Sequence, residues 1–223
     1  FEMARDSLID EIQKEYDRHR YILNTDVLPI DKREKYESIL TGKADQIEYA
    51  KALEFLSKCL EEFHGVKTVI LIDEYDVPLE HAFMEGFYQE MIGFIRSLFE
   101  SALKTNASLE FAVITGCLRI SKESIFSGMN NLNIISILSN NFDEYFGFTD
   151  KEVYQMCEDY KVPQKYSVFK EWYNGYIFGE TNVYNPWSVV EFMYDLMGNI
   201  NCFPWPYWSN TSSNSIVRRL IDL

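Results

Sequence analysis

The sequence contains no C-x-x-C pair. Its four cysteines, Cys59, Cys117, Cys157 and Cys202, are widely scattered, which argues against a zinc ribbon or a disulfide framework and reads as free thiols in a reducing compartment. Histidine is scarce: His19, His64 and His81 are too dispersed for a histidine metal site and are taken as structural or surface residues. Positive charge is in deficit, with 21 Lys and Arg against 35 Asp and Glu, a formal charge of −14. A chain so acidic has no cationic excess to displace counterions from phosphates, so non-specific nucleic-acid binding by this segment is not expected. No apolar run approaches the ~20 residues that cross a bilayer, and the first residues carry no signal-peptide pattern. No membrane partner and a cytoplasmic location are therefore the default expectations. The first residue is Phe1, not an initiator, so a processed chain or a piece of a longer protein is expected.

What is present suits a globular chain. The 223 residues suffice for one large domain, or for a core of ~150 residues with a smaller appendage. Aromatic content is high, at 16% with 15 Tyr and 16 Phe, and much of it falls in the last third of the chain.

The chain is organised around residues 67–76, Lys-Thr-Val-Ile-Leu-Ile-Asp-Glu-Tyr-Asp. Val69 to Ile72 are apolar at every position, which predicts a strand buried on both faces, as in a parallel sheet covered by helices. Asp73 and Glu74 then fall at its exit edge, where open α/β sheets bind ligands. Four apolar residues followed by Asp-Glu have the form of a Walker B segment, in which the Asp holds Mg²⁺ and the Glu polarises an attacking water. Acids after a strand also serve as helix caps and turn formers, and the decapeptide alone leaves both readings open.

Apolar residues at helical spacing predict a helix over 3–23, with Asp6 or Ser7 as its cap, a short one over 31–40, and a long one over about 45–63 ended by Gly65. After Pro78, the spacing of Phe87, Met91, Ile95, Leu98, Phe99 and Ala102 predicts a five-turn helix over 84–104. A second apolar strand, 109–114, then ends in Thr115-Gly116. Strand, helix, strand is a βαβ crossover, which makes the strands parallel and places Thr115 on the same edge as Asp73 and Glu74. Thr-Gly can also be a simple strand terminator. The polar loop beyond it offers Arg119 to an anionic phosphate, or is a solvated loop. A third short strand is expected at 133–138. Thr149 or Asp150 can cap a helix running to about 160, and Tyr184-Asn-Pro-Trp-Ser188 opens another. Residues 149–223 read as a small, mostly helical second domain with the aromatic residues as its core.

Five segments in this order carry a family resemblance: Leu-Ile-Asp-Glu-Tyr-Asp with Pro78; the run from Ile114-Thr-Gly-Cys-Leu-Arg through Asn130-Asn-Leu132; Phe-Gly-Phe-Thr149; Trp172-Tyr-Asn-Gly-Tyr; and Tyr184-Asn-Pro-Trp-Ser. From about residue 66 onward the chain resembles the AAA-ATPase-like family of bacterial proteins, often joined to a C-terminal nuclease-like domain of the PD-(D/E)XK type. The resemblance implies an α/β fold: a partial P-loop NTPase of the ASCE type, with a three-layer parallel sheet core over 1–148 and a small helical lid domain over 149–223. It implies ATP and Mg²⁺ as ligands, Asp73 as the metal acid, Glu74 as the catalytic base and Thr115 at the sensor 1 position. Arg119 matches an arginine that recurs in the family. Nucleic acid or protein partners would act through domains outside this chain, and a homo-oligomer is left open.

The chain departs from the pattern in one respect. Gly42-Lys43, its one Gly-Lys pair, does not fit G-x-x-x-x-G-K-[ST], so the phosphate-cradling Walker A loop and its strand are not in this stretch. This stretch alone is expected neither to hydrolyse ATP well nor to fold robustly, because a lost central strand exposes edges and apolar faces. No Glu-x-Lys tripeptide occurs, so no nuclease activity is expected here. Besides an ATPase, a nucleotide-dependent switch or an inactive scaffold stays open, as does a divalent-cation phosphodiesterase built on Asp73, Glu74 and Asp76.

Overall fold

The computed structural model describes residues 1–117, 125–126, 129 and 132–209. They form an α/β chain in two compact units, Phe1–Leu132 and Asn133–Leu223.

The first unit begins with α1 (Glu2–Arg18), a short 3₁₀ turn (Arg20–Asn24), α2 (Ile30–Leu40), α3 (Gln46–Ala50) and α4 (Ala52–His64). The long helix read over 45–63 is interrupted at Lys51, which caps α3 and leads into α4. Asp45 starts α3 with a capping box closed by Glu48. Neither Asp6 nor Ser7 caps α1, which begins directly after Phe1. Gly65 ends α4 in the left-handed region at φ 71, a conformation with no Cβ penalty for glycine. Tyrosine hydroxyls rivet these helices together. The fully buried Tyr16 donates to the Ala52 carbonyl at 2.7 Å, and the equally buried Tyr36 donates to the Tyr16 carbonyl at 2.7 Å. Each bond satisfies a polar group that burial would otherwise make costly.

Strand β1 (Thr68–Ile72) follows, then α5 (Val77–Glu85), α6 (Tyr88–Phe99) and β2 (Leu109–Ile114). The helix expected over 84–104 starts later, at Tyr88, and runs on from α6 through a π-helical turn at Glu100–Lys104, because a separate α5, with Pro78 in its first turn, occupies the stretch before it and ends at Gly86, φ 80. α6 buries Met91, Ile92, Phe94, Ile95, Leu98 and Phe99. β1 and β2 pair in parallel with Ile72 opposite Ile114, as the crossover requires.

The expectation of a strand buried on both faces is corrected. Ile70, Ile72, Ala112 and Ile114 pack on the helical core, whereas Val69, Leu71, Phe111 and Val113 remain 57%, 73%, 60% and 39% exposed. Register pairs Val69 with Phe111 and Leu71 with Val113, so these four side chains form one uncovered apolar face. A continuous apolar run tells that both faces are greasy, not that both are covered.

In the second unit residues 133–138 form no strand. They are irregular and exposed, because the run finds no ladder partner among the described residues, and Ile137 instead accepts a backbone bond from Gly179 at 2.8 Å. Residues 133–148, grouped with the first domain in the sequence, here belong to the second unit. The unit contains β3 (Phe148–Thr149), α7 (Asp150–Asp159), α8 (Tyr166–Tyr173), β4 (Asn174–Phe178), β5 (Thr181–Tyr184) and α9 (Pro186–Gly198). Its antiparallel sheet, in the order β3-β5-β4, adds strands to a region read as mostly helical. Thr149 caps α7 in a box with Glu152, and Asn185 caps α9 by accepting the Ser188 N–H at 2.9 Å, as the sequence signals suggest. The aromatic residues divide. Phe169, Tyr173, Tyr184 and Phe192 are buried, with Phe169 and Phe192 ring centroids 4.9 Å apart, but Trp172, Tyr176 and Trp187 are 50%, 43% and 50% exposed.

Candidate functional site

The parallel register of β1 and β2 brings their carboxyl ends to one edge of the sheet. Ile72 and Ile114 are paired, so Asp73 and Thr115 leave the sheet side by side. The ladder continues beyond the strands: Thr115 N–H donates to the Ile72 carbonyl at 2.9 Å, and Tyr75 N–H donates to the Thr115 carbonyl at 3.0 Å.

Asp73 and Thr115 are in direct contact, since the Thr115 hydroxyl donates to Asp73 Oδ1. The same oxygen accepts the Glu74 N–H at 3.0 Å. Two donors therefore orient the carboxylate through Oδ1, while Oδ2 has no partner among the described residues and both side chains are exposed. Mg²⁺ takes hard oxygen ligands, commonly one or two carboxylates with water and substrate phosphates completing the shell. An oriented, exposed carboxylate with one oxygen in reserve fits that requirement.

Glu74 differs from its neighbour in two ways. Its carboxylate has no hydrogen bond or ion pair among the described residues, and its backbone lies in the left-handed region, φ 52, which a non-glycine residue adopts at a cost of order 1–3 kcal/mol. The Glu74 carbonyl accepts the Val77 N–H at 3.1 Å, completing a tight exit turn from β1 into α5. Asp76 is placed otherwise: it is 3% exposed and its carbonyl starts α5 by accepting the Leu79 and Glu80 N–H groups. The three acids do not converge, and no group of three metal-ligating side chains occurs among the described residues. This counts against the phosphodiesterase idea.

Of the residues singled out in the sequence, the structure thus brings Asp73, Glu74 and Thr115 together. Arg119 lies outside the described residues. Sequence reasoning missed Gly116 and Tyr75. A Cβ at Gly116 would meet Tyr75 Cε1 and Asp76 Oδ1, each at 2.6 Å, so this glycine does more than terminate a strand. No helix among the described residues is long and apolar enough to cross a membrane.

Comparison with known proteins bears on the same region. An uncharacterised protein from the vnfD 5′ region of Azotobacter chroococcum mcd 1 is 31% identical over 160 residues, covering 71% of this chain and 29% of that protein. The chain thus spans less than a third of that relative's length. No solved structure matches. The model of the AAA-ATPase-like family, described as Predicted AAA-ATPase, matches residues 4–126, which include both strands, the acidic pair and Thr115. The chain belongs to this AAA-ATPase-like family.

Proposed function

We propose that the chain is the ATP-binding and ATP-hydrolysing part of an AAA-like P-loop ATPase, with Asp73-Glu74 as its Walker B pair. The observation that supports this best is the division of labour at the strand edge. Asp73 is oriented by Thr115 and the Glu74 amide through one oxygen, and among the described residues neither its other oxygen nor the Glu74 carboxylate has a partner. In this reading Asp73 Oδ2 holds Mg²⁺, which when bound supplies Lewis-acid polarisation of the phosphate oxygens. The Glu74 carboxylate accepts the proton of the attacking water, a role that needs a base free of competing donors. Thr115, which holds Asp73 through its hydroxyl, is assigned the sensor 1 role, and Arg119 is the candidate for contact with the anionic phosphates. In this reading the first unit is part of a three-layer ASCE-type core and the second unit is the lid domain.

The test is phosphate release from ATP by the natural full-length protein with Glu74→Gln and Asp73→Asn. Removing a general base costs about 10²–10⁴-fold in turnover, so Glu74→Gln should bind MgATP with near-native affinity and hydrolyse it at least a hundredfold more slowly. Asp73→Asn should instead lose Mg²⁺-dependent binding. Unchanged turnover in Glu74→Gln refutes its role as the base, and absence of turnover in the unsubstituted protein favours a nucleotide-dependent switch or a scaffold.

A further inference from the structure

We infer that Gly116 is a positioning residue of the acidic edge: the space left by its missing side chain is filled by Tyr75 and Asp76, and this packing keeps Glu74 in its left-handed backbone. The catalytic consequence rests on the ATPase reading above, whereas the packing itself does not.

A Cβ at Gly116 would lie 2.6 Å from Tyr75 Cε1, 2.7 Å from Tyr75 Cδ1 and 2.6 Å from Asp76 Oδ1, well inside van der Waals contact. Gly116 is not among the residues at positive φ, so glycine is needed here for space and not for backbone freedom. The neighbours have little room to give. The Tyr75 ring stands edge-on to Phe126 with centroids 5.3 Å apart, and Phe126 in turn stacks on the buried Phe99 at 6.5 Å. Asp76 is 3% exposed and anchored as the first residue of the α5 turn.

Glu74 lies between two anchored residues. On one side the Asp73 carboxylate is tied to the Thr115 hydroxyl. On the other the Tyr75 amide is tied to the Thr115 carbonyl and its ring lies against Gly116. Both anchors grip Thr115 just past β2, and the second also packs on Gly116, so the intervening residue must turn back within one peptide unit, and Glu74 does so at φ 52. A methyl group at 116 forces Tyr75 and Asp76 away from β2 and loosens one anchor. Glu74 then relaxes toward the ordinary φ region and its carboxylate swings to a new direction, while Asp73 stays bonded to Thr115. The hydrolytic step should suffer and nucleotide binding should not.

The test uses the natural full-length protein with Gly116→Ala, and with Gly93→Ala as a control because a Cβ at Gly93 in α6 meets nothing within 4 Å. Amide exchange followed by mass spectrometry on a fragment spanning 73–77 should be at least about tenfold faster in Gly116→Ala, with α6 fragments unchanged. The kcat for ATP should fall at least about tenfold with KM for MgATP within about threefold. Tyr75→Leu, which removes the ring from the other side of the contact, should show the same split and stands in if Gly116→Ala does not fold. Native exchange at 73–77 overturns the proposal, as does a raised KM with unchanged kcat. Should the unsubstituted protein show no ATP turnover, the ATPase reading falls and the exchange result alone decides the positioning role.

Discussion

Leu71 and Leu98 offer a like-for-like comparison of how far the sheet is covered in solution. Leu98 is 7% exposed in the core, and Leu71, on the open sheet face, is 73% exposed. Burying a leucine fully is worth about 1.5–3 kcal/mol. Leu71 hides only about a quarter of its surface, so Leu71→Ala removes roughly 0.4–0.8 kcal/mol of burial, plus about 0.2–1 kcal/mol for the lost cross-strand contact with Val113. No cavity is created. Leu98→Ala leaves one, and such core truncations cost about 2–5 kcal/mol. Urea unfolding of the 223-residue chain followed by far-UV circular dichroism measures both. Tryptophan fluorescence does not serve, since Trp172, Trp187, Trp205 and Trp208 all lie in the second unit. The expected ordering is Leu98→Ala well above Leu71→Ala. A Leu71→Ala cost of about 2 kcal/mol or more would refute the open face, and a cost that shrinks on dilution would identify a second copy as its cover.

Asp150 predicts an acid limb for the second unit. Hydrogen bonds from Tyr166 at 2.5 Å and Tyr184 at 2.6 Å, with Lys170 at 3.7 Å, hold its carboxyl below the usual carboxylate range. A depressed folded-state value contributes stability that is present above the unfolded value of about 4 and lost as pH falls through the folded one. The tryptophan-monitored melting temperature should therefore drop below about pH 4, and Asp150→Asn should lower it at neutral pH and flatten that limb; an unchanged acid limb would remove Asp150 as its source. Among the thiols, burial pushes Cys59 up to about 12 and Cys157 up to about 11, while Cys117 is exposed. Native-state labelling with a thiol reagent at pH 8 should modify Cys117 first and spare Cys59 and Cys157, as peptide mapping will show; early modification of Cys59 would contradict its burial.

The parts of the fold legible in the sequence were those set by local chemistry along a continuous stretch. The apolar run into Asp73-Glu74, the second run into Thr115 and the helix between them imply a parallel pair with a shared edge, and that edge is where Asp73, Glu74 and Thr115 stand. Some caps were legible for the same reason: Thr149, read beside Asp150 as a candidate, and the Asn185-Pro186 start act over one turn, whereas the Asp6 or Ser7 cap expected for α1 is not formed. Coverage was not legible, because Val69 and Ile70 are chemically alike and only the packing decides which one meets the core. The run at 133–138 has strand propensity but no partner, and propensity in a strand is largely a statement about neighbours. The β4–β5 hairpin went unread in a region taken as mostly helical, although Gly179-Glu180 between two short runs, with Phe178 paired to Thr181, is a two-residue glycine turn of the kind that joins strands. The left-handed Glu74 had no local signal at all, since glutamate does not favour that conformation and the constraint comes from residues about 40 positions later.

That separation matters for how the protein is made. Asp73 and Thr115 are 42 residues apart, and at ~5–20 residues per second a ribosome delivers the second roughly 2–8 s after the first. During that interval β1 has emerged with an unpaired ladder edge and four consecutive apolar side chains, Val69 to Ile72. This is the state in which a nascent chain is most open to pairing with another polysome's product. Until β2 appears this edge stays open, and Lys67 before the run with Asp73 and Glu74 after it supply the flanking charge that keeps neighbouring chains apart.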